Sequence, residues 1–190
     1  MFQNILVAVD GSATATRGLK SAIQLAADQH ATLNVIHIID DMAVMPVLEG
    51  GFVPSNYVDS MFDALRDNGR KVLAKAEKLA QEQSVPVKTL LVESVGRTVA
   101  HAILAQARKA RADVIVLGTH GRRGLTRVLL GSDAETVLRE ATCPVLLVRA
   151  PEPARRAVHD KAAASKASAG AKPANGSKAA AKARVSSPAA

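Results

Sequence analysis

Asp113-Val-Ile-Val-Leu-Gly118-Thr-His-Gly121-Arg-Arg-Gly-Leu-Thr-Arg-Val-Leu-Leu-Gly131-Ser132-Asp-Ala-Glu135 is the stretch on which the reading of this chain turns. Its apolar start, Asp113 to Leu117, reads as a buried strand, and the glycines that follow let a loop run close to something. Ser132-Asp-Ala-Glu135 then opens the helical pattern Thr136-Val-Leu-Arg-Glu-Ala141 as a Ser-x-x-Glu capping box, with Ser132 expected as the N-cap. A strand tip thus passes through a glycine loop into a helix N-terminus. In that arrangement backbone N–H groups can form a concave anion nest, and the first helical turn adds about half a unit of positive charge. The competing reading is a tight turn with Ser132 as a plain cap, because Asp133 and Glu135 already complement the helix dipole. Neither G-x4-G-K-[ST] nor a G-x-G-x-x-G after the first strand is present.

Outward from this stretch, strand-like runs alternate with helical patterns. Strands are expected at Asn4 to Val9, Thr32 to Ile39, Val87 to Val92, Asp113 to Leu117 and Pro144 to Val148. Helices are expected near Thr14 to Gln29, Tyr57 to Gln83, Arg97 to Ala110 and Asp133 to Ala141, with Leu65, Val72, Leu73, Ala76 and Leu79 as one apolar stripe of the second. Repeated β-α units demand crossovers and parallel strands, covered on both faces by helices. The fold class is therefore α/β, a doubly wound five-stranded parallel sheet.

Composition divides the chain in two. Residues 1–150 carry 17 Lys and Arg against 15 Asp and Glu, so most of the formal charge of +8 belongs to residues 151–190. A body of that size buries roughly two thirds of its unfolded surface and needs no disulfide or structural metal. The lone Cys143 has no intramolecular partner, and its place beside Pro144 reads as a packed thiol. No basic-then-apolar signal precedes Phe2, and no apolar run approaches the ~20 residues of a membrane span, so the expectation is a cytoplasmic protein without a membrane segment. Residues 151–190 are Ala, Lys, Ser, Pro and Gly with only Val158 and Val185 as larger apolar residues, and hold eight Lys or Arg against two acids. Such a tail cannot build a core and is expected to be disordered. Its charge favours loose, non-specific contact with nucleic acid, or makes it a solubilising extension.

The spacing G-x2-G-x9-G-[ST] after a strand, the opening Ile5-Leu-Val-Ala-Val-Asp10-Gly-Ser12 and the closing Cys143-Pro-Val-Leu-Leu-Val-Arg149 together resemble the universal stress protein family over residues 1 to about 150. Members divide into those that bind ATP and those that do not, and the glycine spacing accompanies binding. The resemblance implies the strand order 3-2-1-4-5, which puts the switch point between strands 1 and 4, where ligands of open α/β sheets sit. It also implies ATP with Mg2+ as ligand. On this sequence the family's contacts fall at Ala8, Val9 and Asp10, at Ile38 beside adenine, at Leu117, Gly118 and Gly121, and at Gly131 and Ser132. The next position, often small or apolar in the family, is Asp133; Arg122, Arg123 and Arg127 are cationic groups that could offset it.

Asp10 can accept hydrogen bonds from ribose hydroxyls or hold a phosphate-bridging cation, against an Asx-turn with Gly11 and Ser12. His37, between Ile36 and Ile38, reads as a satisfied core histidine, and His120 lies in the glycine loop. No metal constellation and no nucleophile–base grouping can be read, so no catalytic residue is assigned. The segment Asp40 to Pro54, with Met42, Val44, Met45, Val47, Leu48 and Phe52, is long for a loop and reads either as a lid or partner surface or as packing on the sheet end. The functional expectation is an ATP-binding regulatory or sensing protein of the stress response, a homodimer through its last strand. The alternatives are a nucleotide-free interaction protein of the same fold, acting through its dimer surface and basic tail, and a slow ATP hydrolase or self-phosphorylating protein.

Overall fold

A computed structural model describes residues 1–41, 54–119 and 130–149, all within the unit Met1–Ala150. Among the described residues nine elements alternate: β1 (Asn4–Ala8), α1 (Ala13–Gln29), β2 (Thr32–Ile39), α2 (Ser55–Gln81), β3 (Val87–Glu93), α3 (Val99–Lys109), β4 (Val114–Gly118), α4 (Ser132–Glu140) and β5 (Val145–Val148). The five strands form one sheet in the order β3-β2-β1-β4-β5, every neighbouring pair parallel. This is the doubly wound sheet that the β-α alternation requires, with the strand order expected from the family resemblance. The segment 42–53, the glycine-loop residues 120–129 and the tail 151–190 lie outside the described residues, so the expected lid and disordered tail do too.

The three inner strands are apolar almost without interruption because helices cover them on both sides. In β1, Ile5, Leu6 and Val7 are wholly buried, as are Leu33 and Val35 of β2 and Ile115 and Val116 of β4. Alternation along β1 sends Ile5, Val7 and Val9 to one face, against Leu19, Ala22 and Ile23 of α1 and Leu73 and Ala76 of α2. Leu6 goes to the other, against Ala100, Ile103 and Leu104 of α3 and Val137 of α4. Each fully buried aliphatic side chain contributes on the order of 1.5–3 kcal/mol, so this double layer fixes the strand register. The edge strands are less covered: Leu90 in β3 and Leu146 in β5 are exposed.

Two local devices set how the chain enters and leaves α1. Gly11, at φ +84°, makes a turn that a side chain would strain, and Ser12 Oγ then caps the helix by accepting the N–H of Ala15 at 3.1 Å. The helix stops where His30 takes the left-handed conformation and its N–H returns to the Ala26 and Ala27 carbonyls.

Candidate functional site

The carboxyl ends of β1 and β4 are neighbours in the sheet and their following chains diverge to opposite faces, α1 to one and α4 to the other. A cleft of about 640 Å³ opens there. Eight of the sequence-predicted residues line it: Ala8, Val9 and Asp10 after β1, Ile38 in β2, Leu117 and Gly118 at the end of β4, and Gly131 and Ser132 at the start of α4. Gly121 and Arg122, with His120, Arg123 and Arg127, lie outside the described residues.

The loop that carries the glycines is pinned at both ends. Thr119, nearly wholly buried, donates its N–H to the Val148 carbonyl at 2.9 Å, and its own carbonyl accepts the N–H of Gly131 at 2.9 Å. That second bond draws Gly131 into the N-cap position and makes Ser132 the first helical residue, so the expected capping box does not form. No side chain caps α4. Gly118 proves to be demanded by packing: a Cβ there would stand 3.0–3.1 Å from Thr14 Cγ2, the Thr14 carbonyl carbon and Ala15 N in the first turn of α1. Its glycine character follows from helix–strand contact, whatever the cleft holds.

Asp10 makes the local turn considered for it and stands at the cleft. Its Oδ1 accepts the N–H of Ser12 at 2.9 Å, which is the Asx-turn, and the residue lines the cleft. His37 is the buried, satisfied histidine its strand position predicts: Nδ1 donates to the Val9 carbonyl at 2.7 Å, which fixes the proton on Nδ1 in the neutral ring. It also lines the cleft beside Leu65 and Asn68 of α2. Helix α2 comes this close because residue 69 is glycine; a Cβ there would lie 2.8 Å from His37 Cδ2.

Sequence reasoning missed Asp40, Asn68, Val99, Ile103 and Thr119 as lining residues. For Asn68 a signal existed, since a polar residue interrupts the helical stripe between Leu65 and Val72. Asp40 is positioned by its neighbour: Asp41 Oδ1 accepts from the Ser94 hydroxyl and Oδ2 accepts the N–H of Gly96 at 2.8 Å, tying the end of β2 to the β3–α3 turn. Asp133 also lines the cleft, and its Oδ1 accepts the N–H of Ala100 in α3 at 3.2 Å.

Outside the cleft lining, His101 Nδ1 lies 2.7 Å from Thr98 Oγ1 and its Nε2 3.5 Å from Glu140. This chain is exposed, and the Thr98 hydroxyl also accepts the His101 N–H as the cap of α3. Burial, and then the charge of Asp113, push the Cys143 thiol up, away from the thiolate form that a nucleophile needs. Among the described residues no group of three or more His, Cys, Asp or Glu could hold a metal ion, and no helix is long and apolar enough to cross a membrane.

A model of the universal stress protein family matches residues 1–149. The chain belongs to that family. Universal stress protein YxiE of Bacillus subtilis is 34% identical over 151 residues, covering 78% of this chain and 100% of the relative. Among solved structures, a universal stress protein family member from Burkholderia pseudomallei is 39% identical with a TM-score of 0.60, covering 78% of this chain and 96% of that one. The universal stress protein from Archaeoglobus fulgidus in complex with dAMP shares the fold at 21% identity and a TM-score of 0.53, covering 77% and 97%.

Proposed function

We propose that this cleft binds an adenine nucleotide, ATP with Mg2+, and that the protein serves as a cytoplasmic regulatory or sensing component of the stress response without efficient turnover. The observation that carries the reading is the convergence of eight separately placed residues on one cleft at the switch point of the sheet. Its chemistry suits the parts of a nucleotide. Ile38, Val99 and Ile103 supply an apolar wall for a purine, Asp10 a carboxylate for ribose hydroxyls, and the uncapped first turn of α4 supplies N–H donors for a phosphate. A volume of about 640 Å³ lies in the range of small-molecule sites, roughly 300–1,000 Å³. The dAMP complex of the Archaeoglobus relative supports the same ligand class.

Mg2+ fits this donor set as the companion of a polyphosphate. It takes oxygen ligands, commonly one or two carboxylates with the rest from phosphate and water, and Asp10 places such a carboxylate in the cleft. When bound, the ion would neutralise phosphate charge; Asp10 would hold it, while Ile38 and the α4 turn orient the nucleotide. The hydroxyl–imidazole pair Thr98–His101 lies outside the cleft lining, which supports binding over turnover.

Mass spectrometry of small molecules released from the natively purified full chain tests the reading directly, with an adenine nucleotide as the expected species. Added ATP and Mg2+ at 100 times the dissociation constant should stabilise the fold by about 2.7 kcal/mol. No released nucleotide and no thermal shift at millimolar ATP would remove the proposal.

A homodimer through β5 is part of the same proposal. This short edge strand leaves backbone groups unpaired by the sheet, and Leu146 upon it and Leu138 on α4 are 40% and 49% exposed. Sedimentation over a range of concentrations should show a dimer. The tail 151–190 is proposed as a separable basic extension with at most weak, salt-sensitive contact to nucleic acid, which truncation after Ala150 should abolish without altering nucleotide affinity.

A further inference from the structure

Where the start of α3 meets the end of α4, three exposed side chains stand in the order hydroxyl, imidazole, carboxylate. Thr98 Oγ1 lies 2.7 Å from His101 Nδ1, and His101 Nε2 lies 3.5 Å from Glu140 Oε2. The other oxygen of that carboxylate is 3.4 Å from the Arg139 guanidinium, so Glu140 is shared between a cation and the ring. An ionised carboxylate can only accept, and in the neutral ring it therefore keeps the proton on Nε2 and leaves Nδ1 as an acceptor. The Thr98 hydroxyl then donates to Nδ1, while its oxygen accepts the His101 N–H at 3.4 Å as the cap of α3. A cap needs that last bond alone. It calls neither for a ring on the hydroxyl nor for an acid from a second helix. A hydroxyl and a base within hydrogen-bond reach, with the base oriented by a third group, form the arrangement that activates a nucleophile for covalent catalysis.

We propose that Thr98 is a nucleophile that takes the acyl group from an activated ester of a small carboxylic acid, with His101 as its general base and Glu140 as the residue that positions the ring. Thr98 Oγ1 attacks the ester carbonyl carbon as its proton passes to His101 Nδ1. A bond forms between Oγ1 and the acyl carbon, and the bond from that carbon to the leaving oxygen breaks. The leaving oxygen departs with the electron pair, and the proton held on Nδ1 passes to it. A threonyl ester and an alcohol are the products; attack by water on the ester releases the acid and returns the hydroxyl. The oxyanion of this step forms at the N-terminus of α3, whose partial positive charge favours it. Asp133 already takes the Ala100 N–H there, which keeps the step slow. All three residues lie outside the cleft lining, so this chemistry stands or falls separately from nucleotide binding.

Incubation of the full chain with para-nitrophenyl acetate, followed by mass spectrometry of its peptides, reads this directly. The expected product is an acetyl group on Thr98. Thr98→Ser should keep the adduct and Thr98→Asn should abolish it, although serine and asparagine both cap helices and both variants should keep the parent's melting temperature. His101→Gln should slow acetylation of Thr98 by about a hundredfold. Glu140→Gln should slow it by roughly five- to tenfold, the worth of one charge 3.5 Å away in water-like surroundings. In a chain that already carries His101→Gln, the second change should add nothing, because Glu140 acts through the ring. Acetyl groups on lysines or on His101 with none on Thr98 would overturn the nucleophile. Equal rates at Thr98 in the parent and in His101→Gln would overturn the base, and an additive loss in the double variant would overturn the positioning role of Glu140.

Discussion

The N-terminal turns of α1 and α4 face the same cleft and are finished in opposite ways. At α1 the chain closes on itself: Asp10 takes the Ser12 N–H, Ser12 takes the Ala15 N–H, and Thr16 Oγ1 donates to the Ser12 carbonyl at 2.9 Å. At α4 the N-cap is a glycine with no side chain to offer, its N–H held by Thr119, and the first turn carries two acids. An N-terminus capped by its own serine has spent donors that a ligand would need, while an uncapped one keeps them and uses carboxylates to steady the dipole. A helix start at a switch point is therefore not by itself an anion site. The finish of its first turn decides which of two neighbouring helix starts can serve.

The contrast can be broken most severely at Gly118, where the close approach of α1 leaves no room. Gly118→Val would drive a branched side chain against backbone atoms 3.1 Å from the Cβ position, so stability should fall by about 3 kcal/mol, read as a lower urea midpoint with ligand absent. An unchanged midpoint would mean that α1 is not packed as closely as its first turn indicates, and that the glycine serves only a ligand.

A smaller and more direct test pairs the two serines. Ser12→Ala removes a cap and should cost about 1 kcal/mol, whereas Ser132→Ala removes no cap and should stay within about 0.5 kcal/mol of the parent. Nucleotide affinity should respond the other way, weakening more in the Ser132 variant. Equal stability losses in the two variants would erase the distinction between a closed and an open helix start.

The same pair of helix starts shows what the sequence discloses and what it withholds. Among the described residues every strand and helix was legible, with ends displaced by at most two residues, because the inner strands are buried on both faces and therefore largely apolar, as Ile5 to Val7 and Val114 to Val116 show. The convergence of Asp10, Ile38 and Gly118 was legible once the strand order was granted by family resemblance. The finish of α4 was not. Ser132-x-x-Glu135 satisfies the capping pattern, but a bond from Gly131 to the Thr119 carbonyl, across the loop, shifts the helix start by one residue. Nor could spacing tell that Asp133 bonds Ala100, 33 residues away and in another helix. Local patterns report the bonds a residue can make with its neighbours in sequence, and these two are made across the fold. Gly118 was read correctly as a close approach, while the partner it approaches is α1.

The smallest expected effect concerns a carboxylate at the opposite end of the sheet, where Asp113 is committed entirely to backbone donors. Its Oδ2 accepts the N–H of Gln3 at 2.7 Å and that of Asn4 at 2.8 Å, joining the start of β1 to the start of β4. Those two bonds, Gln3 first, hold its pKa below the ordinary 3.8, helped by the chain's N-terminal charge and opposed by desolvation. A carboxyl group whose folded pKa is depressed contributes stability that is present above the unfolded value and lost as pH falls through the folded one. Asp113→Asn keeps an oxygen to accept these N–H groups but cannot gain from ionisation. The parent should therefore be the more stable near pH 6, by a margin that solvent exposure keeps small, and the two denaturation midpoints should approach each other below pH 3.8. A gap that stays constant from pH 6 to the acid limit would show that the difference comes from amide geometry, and would remove the electrostatic role assigned to this end of the sheet.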